Sequence, residues 1–406
     1  MVAVIGVLSA FLAAIFVLNR WHNFGLAMLV SSALVALTGG FSVNQALSIF
    51  WQSATMRVTL ELLLVVALIN MLGFILKKAG TLEKIVQKML IVLKDVRLLV
   101  ITIPAIIGLL PVPGGAIMSA PLVVETGKKA GLSPERQAAA NVLFRHLVYF
   151  VFPLYPTLIL AGDVSGIPIM AFVKHQFWPM AVGLAVSIIV LFRLSDQREE
   201  REVTEDRWLD AFIHLIYYAL PIIILLFLAL VLQINFSIAA IVGILTALLS
   251  GIKSGEQFVA RVKSYVLPSV DWNLSAAVLG IMVFRGYVEA SGAMATLANQ
   301  LESVGIPVLV LAVIVPLLTG IATGASLIGV GILFPLLLPL VPAGMDKVAF
   351  LSLIFISNMI GYMASPVHMC LALTREVCQA RFGGMYPFLV PPLAAILLTS
   401  VLLAIV

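Results

Sequence analysis

Leu109-Leu110-Pro111-Val112-Pro113-Gly114-Gly115-Ala116 interrupts an apolar region running from about residue 98 to 124, and Gly320-Ile321-Ala322-Thr323-Gly324-Ala325-Ser326 interrupts another, 306–340. Proline has no amide hydrogen to give and glycine weakens a helix, so neither stretch continues a helix comfortably. Each is read as two half-helices meeting at a non-helical tip, a re-entrant hairpin. Irregular backbone at membrane depth survives only where protein or a water-filled cavity covers it. A chain with two such tips must therefore build an interior around them.

The rest of the sequence requires the membrane. Of 406 residues, 62% are hydrophobic and only 11% are charged, with a mean hydropathy of +1.16. Soluble domains carry about 45–50% apolar and about 25% charged residues, so the excess must be dissolved in lipid. A crossing takes roughly 20 residues, which leaves room for about ten to twelve. Apolar runs place full spans at about 2–18, 24–39, 58–77, 139–161, 168–192, 209–232, 235–250, 272–291, 348–373 and 384–406. They are too long for barrel strands and are expected to be helices. Met1–Leu18 has no basic residue ahead of its apolar run and no small-residue cleavage site, so it is read as a first span. Cys370 and Cys378 are the only cysteines and fall in no CxxC or Cys/His pattern, which argues against disulfides and zinc.

Ser195–Asp210, dense in both signs of charge, divides the chain nearly in half. Across it a shift of 212 residues superimposes 23–80 on 235–292 without a gap, with identities such as Asn23/Asn235, Gly39/Gly251, Ser42/Ser254, Gln45/Gln257 and Gly80/Gly292. A shift of 209 sets Gly115 on Gly324, and one of 213 sets Pro153 on Pro366. The expected fold is an all-α polytopic membrane protein of two inverted-topology repeats. Each has five transmembrane helices, one of them broken, plus a re-entrant helical hairpin. The first repeat is 1–194 (hairpin 98–124, broken helix 139–161), the cytoplasmic linker 195–208, and the second repeat 209–406 (hairpin 306–340, broken helix 348–373). Five crossings per half invert the second half. With both termini extracytoplasmic, nineteen Lys and Arg fall on the cytoplasmic side and two, Arg57 and Lys347, outside, as the positive-inside rule requires. The chain is expected to be multi-pass in the cell (inner or plasma) membrane. Segment 81–96 reads as an interfacial amphipathic helix, with a milder counterpart at 293–305.

Inverted repeats with broken helices are a plan of secondary transporters, in which half-helix ends bind ions at the centre of the bilayer. The candidate substrate- and ion-binding residues are Pro113, Gly114, Gly115, Arg145, His146, Pro153, Thr323, Gly324, Ser326, Asn358, Ser365, Pro366 and His368. An ionisable group in hydrocarbon costs several kcal/mol, so Arg145, His146 and His368 need a reason to be there. Arg145 could fork a carboxylate or snorkel to the cytoplasmic face; His368 could carry a proton or pack as a neutral ring. Arg285 and Glu289, at i and i+4, are expected to pair with each other, and Glu61 and Asn70 to belong to a scaffold.

As topology over the whole chain, two inverted repeats each with a re-entrant hairpin and a broken helix, the chain resembles the ion transporter superfamily, which holds divalent-anion/sodium symporters, citrate and gluconate permeases and arsenite transporters. On Leu109–Ala116 and on Ser365-Pro366-Val367-His368-Met369-Cys370-Leu371-Ala372-Leu373-Thr374-Arg375-Glu376 it looks like an uncharacterised prokaryotic branch of that superfamily. The resemblance implies an elevator, hairpins and broken helices sliding against a scaffold, in a homodimer. Sodium/dicarboxylate members carry Ser-Asn-Thr in each repeat, whereas here Ser357-Asn358 is followed by Met359. The geometry of the site carries over, and a sodium/dicarboxylate assignment does not.

The expected function is a secondary active transporter, not an enzyme, coupling Na+ or H+ to a small organic anion. No cofactor or metal is expected beyond a sodium site at the hairpin tips, and the partners are the small-molecule substrate and membrane lipids, not nucleic acid. A lipid or amphiphile flippase or channel is the competing class. An intramembrane enzyme is disfavoured by the lack of HExxH and GxSxG.

Overall fold

The computed structural model describes residues 2–109, 115–193, 205–250, 264–293 and 307–405, with residues 262 and 296 besides. Pro113 and Gly114, most of the 195–208 linker and most of the amphipathic segment 293–305 lie outside the described residues. Among those described, every regular element is a helix.

The chain runs through α1 (Val2–Trp21), α2 (Phe24–Thr38), α3 (Val43–Thr55), α4 (Arg57–Lys78), α5 (Thr81–Val92), α6 (Val96–Gly108) and α7 (Gly115–Lys129). Helix α8 (Pro134–Leu147) gives way through a 3-10 turn at Val148–Phe150 to α9 (Pro156–Ser165), followed by α10 (Ile169–Phe192). The second half holds α11 (Glu205–Leu226), α12 (Phe236–Leu249), α13 (Trp272–Ala290), α14 (Val308–Thr323), α15 (Ser326–Leu337), α16 (Lys347–Ala364), α17 (Met369–Cys378) and α18 (Phe382–Ile405).

Polar caps fix where these helices begin. Asn23, Asp95 and Asp271 accept from backbone amides of the first turns of α2, α6 and α13. Ser133 caps α8 and Pro134 opens it, which starts the helix five residues before the apolar run that marks it in the sequence. Ser42 and Gln45 form a capping box ahead of α3. That helix lies in a stretch the hydropathy reading leaves as a connection. Asp346 receives the Val348 and Ala349 amides at 3.2 and 3.3 Å at the head of α16. Asp346→Ala is expected to cost about 1 kcal/mol, read as a lowered midpoint of thermal unfolding, while Asp346→Asn keeps most of it.

Among the described residues, five helical segments are long and apolar enough to cross a membrane, namely Arg57–Lys78, Ile169–Phe192, Arg207–Val231, Phe382–Ile405 and Lys347–Cys378, the last spanning α16, its break and α17. Leucines and isoleucines cover their outer faces, Ile213, Ile216 and Ile223 on α11 and Leu398 and Leu402 on α18 among them. Such a surface is soluble only in lipid, and the protein is a multi-pass membrane protein. Helices α2 and α12, at 15 and 14 residues, are shorter than a full crossing. At 1.5 Å per residue they reach about 22 Å of the roughly 30 Å of hydrocarbon.

Packing sorts the helices into pairs. Helix α2 packs along α13 and α12 along α4; α1 lies on α2 and α11 on α12. Helix α6 packs on α7 and α8, and α14 on α15 and α16. The short halves cross between the sets, α9 on α15 and α17 on α7, and α10 packs on α18. Small residues permit the closest approaches. Gly280 admits Met28 of α2, and Gly320 and Gly361 bring the backbones of α14 and α16 into contact.

Candidate functional site

The site is built where helices stop. Helix α8 ends in a 3-10 turn and α9 restarts at Pro156, while α16 ends at Ala364 and α17 restarts after Ser365-Pro366-Val367-His368. Between α14 and α15 the chain turns at Gly324, whose φ of +56 lies in the left-handed region. A Cβ there would crowd the His368 amide and Val367 at 3.0 Å, so glycine lets the hairpin tip lie against the break after α16.

Hydroxyls and amides lock these ends together. The Tyr155 hydroxyl lies 2.6 Å from Ser326 Oγ, and Thr157 Oγ1 lies 3.0 Å from the same oxygen. Asn358 Nδ2 donates to the Ser326 carbonyl at 3.0 Å, and Ser365 Oγ donates to the Ile321 carbonyl at 2.6 Å. The α8–α9 break, the second hairpin tip and the middle of α16 thus meet around Ser326.

One turn away stands a cluster of aromatic and ionisable groups. The His146 and His368 rings meet edge to face with centroids 4.7 Å apart, and Tyr362 lies 4.0 Å from His368. His146 sets Nδ1 2.7 Å from the Val142 carbonyl, leaving Nε2 toward the Tyr362 hydroxyl at 3.4 Å. Tyr149 stacks on Tyr155 at 4.1 Å and joins the same wall. The Arg145 guanidinium sits among Tyr149, Tyr362 and Cys370. A Cβ on Gly115, the first residue of α7, would overlap that guanidinium, so Arg145 lies at the head of α7. Arg145 is 2% exposed, yet Nε and Nη1 have no hydrogen-bond partner. Asn358 Oδ1 and both ring nitrogens of His368 are likewise buried without one. Buried polar atoms are nearly always satisfied, so each of these calls for a partner, whether an ordered water, an ion or a ligand.

The sequence-picked residues divide accordingly. Gly115, Arg145, His146, Ser326, Asn358 and His368 converge here, with Gly324 and Ser365 holding the turn and the break. Thr323 is spent on its own turn, donating to the Thr319 carbonyl at 2.8 Å and accepting the Ala325 amide at 3.2 Å. Pro153 is buried in the α8–α9 break, and Pro366 is exposed. Sequence reasoning missed Tyr149, Tyr155, Thr157, Tyr362 and Cys370, since tyrosines and a cysteine in apolar helices look like packing. Elsewhere, Arg285 and Glu289 pair at 2.7 Å, and Glu61 pairs with Arg57 at 2.7 Å.

The comparisons with known proteins bear on the whole chain. A family model described as "Protein of unknown function (DUF401)" matches residues 3–406. This corrects the expected membership of the ion transporter superfamily. What suggested it was a topology of broken helices together with two short segments, the proline- and glycine-rich Leu109–Ala116 and the single-proline Ser365–Glu376, and such features express a backbone need, not a descent. No curated protein matches the sequence significantly. Among solved structures, the Alcanivorax borkumensis YdaH transporter, described as having an unusual topology, is similar at a TM-score of 0.55 with 15% identity. The match covers 97% of this chain and 98% of that one, and at such identity the likeness concerns the fold.

Proposed function

We propose that this chain, which belongs to the DUF401 family of proteins of unknown function, is a secondary active transporter of a small organic anion, with sodium or a proton as the coupling ion. The observation that carries the reading is Arg145, a buried guanidinium with Nε and Nη1 unpartnered beside the first residue of α7. A planar fork matches the two oxygens of a carboxylate, and the α7 N-terminus adds amide donors and partial positive charge. Ser326, Asn358 and Tyr155 supply the polar groups that orient such a ligand. These groups suit binding and release, and the fold's likeness to a transporter supports carriage over catalysis.

The same reading takes 1–194 and 209–406 as inverted repeats, each with a re-entrant hairpin, joined by a cytoplasmic linker, with both termini outside. The pairings support it. The 212-residue shift carries α2 onto α12 and α4 onto α13, and the α2–α13 contact has its mirror in α12–α4. The contacts α6–α8 and α14–α16 correspond, as do α7–α17 and α15–α9. Helices α6–α10 with α14–α18 then form the moving unit of an elevator, against a scaffold of α1–α4 and α11–α13, in a homodimer.

The test is thermal unfolding of the purified protein against a panel of small mono-, di- and tricarboxylates, each with and without sodium. A true ligand at 100 times its Kd stabilises by about 2.7 kcal/mol, a shift of a few degrees. Stabilisation that needs sodium identifies the coupling ion. Stabilisation by phospholipids but by no carboxylate would overturn the anion reading.

A further inference from the structure

We propose that His146, His368 and Cys370 form a binding site for one transition-metal ion of the borderline to soft class, such as Zn2+, Co2+ or Cd2+. The proposal goes beyond the transport reading and does not depend on it, since it concerns only these three donors and their surroundings.

The ligand atoms of the three residues lie within 4.8 Å of one another. Donors around a tetrahedral ion with bonds of about 2.0–2.3 Å stand roughly 3.5 Å apart, so small side-chain rotations close the set. His146 has the support that metal-bound histidines have. Its Nδ1 is engaged by the Val142 carbonyl at 2.7 Å, which fixes the tautomer and turns an accepting Nε2 into the cluster, where the Tyr362 hydroxyl at 3.4 Å is the group an ion would displace. His368 is 1% exposed, and its ring has the Met363 backbone near it, but neither ring nitrogen makes a hydrogen bond of good geometry. A packed neutral histidine at this depth satisfies at least one of them. Cys370 follows two residues later in the first turn of α17, so the break that ends α16 sets both donors on one side.

Two imidazoles and a sulfur select zinc-like ions over magnesium or calcium, which prefer oxygen. Cys370 binds as thiolate and its proton leaves to solvent, so each ion taken up releases one proton. Three protein donors leave a fourth position open. The Arg145 guanidinium beside Cys370 disfavours a bare cation and favours an ion whose fourth ligand is an anionic oxygen held by that guanidinium.

The experiment is a titration of the metal-free, detergent-solubilised full chain with Co2+ alone, followed by absorption. We expect saturation at one ion per chain with tetrahedral visible bands and a near-ultraviolet sulfur-to-cobalt band. Cys370→Ser should lose the sulfur band and at least about tenfold in affinity, His368→Asn should lose about as much affinity, and Cys378→Ser should bind as the parent does. Wild-type affinity in Cys370→Ser, or no Co2+ bound by the parent at micromolar concentration, would overturn the assignment and leave the cluster as aromatic packing. Should Cys370→Ser fail to fold, alkylation of the parent decides: Zn2+ must protect Cys370 and not Cys378, and equal rates with and without Zn2+ would refute the site.

Discussion

Arg145→Gln is expected to abolish anion-dependent stabilisation while leaving the ligand-free protein as stable as the parent or more so. The two halves of that result have different causes. A bidentate, charge-assisted contact removed from a bound carboxylate costs about 3 kcal/mol, on the order of 100-fold in affinity. In the empty protein, by contrast, the guanidinium is 2% exposed with Nε and Nη1 unpartnered. Tyr149 and Cys370 beside the guanidinium compensate its burial only in part, so the charge still opposes folding, and a neutral amide of similar shape relieves that cost. Arg145→Lys should also lose most of the affinity, because a single ammonium cannot reproduce the fork. Thermal unfolding of the three proteins with and without the best carboxylate checks this. If Arg145→Gln unfolded several degrees below the parent and kept the ligand shift, the guanidinium would be a structural strut and the anion site would lie elsewhere.

The second large effect concerns Gly361. A Cβ at this position would overlap the Leu317 carbonyl oxygen of α14, and Gly320 on α14 in turn faces the Asn358 carbonyl of α16. Both obstacles are backbone, so neither can swing aside. Gly361→Ala is expected to cost about 3 kcal/mol, the upper end of the range for overpacking, and Gly361→Leu to prevent accumulation of folded protein. Gly383→Ala, where a Cβ meets nothing within 4 Å, serves as control and should behave as the parent. Size-exclusion profiles and unfolding midpoints read the difference. A Gly361→Ala midpoint within a degree of the parent would mean that α14 and α16 are not in backbone contact.

The helices were legible because lipid imposes a simple rule: a long apolar run with no charge has few other places to go. Boundaries were legible only where a cap spells them out. Ser133-Pro134 and Ser42-x-x-Gln45 were available signals, and reading hydropathy alone placed the start of α8 too late and passed over α3. At the site, polarity was the guide. Arg145, His146, Asn358 and His368 stand out in hydrocarbon, and they converge. The tyrosines were silent because an aromatic residue in a membrane helix has an ordinary reason to be there, and only the meeting of α8, α9, α15 and α16 turns Tyr149, Tyr155 and Tyr362 into one wall. Thr323 was chosen for its hydroxyl, which its own turn consumes. Family descent was not legible at all, since a proline-glycine break obeys local mechanics that unrelated chains share.

The α2–α13 contact also sets a timetable for biosynthesis. The Gly25 amide donates to the Asn273 side chain at 2.9 Å across 248 residues, and Ser32 Oγ donates to the Gly280 carbonyl over the same interval. A ribosome adding about 5–20 residues per second needs on the order of ten to fifty seconds to cover that separation. Through all that time the face of α2 that meets α13 has no native partner, so the contact closes only after most of the chain has been made.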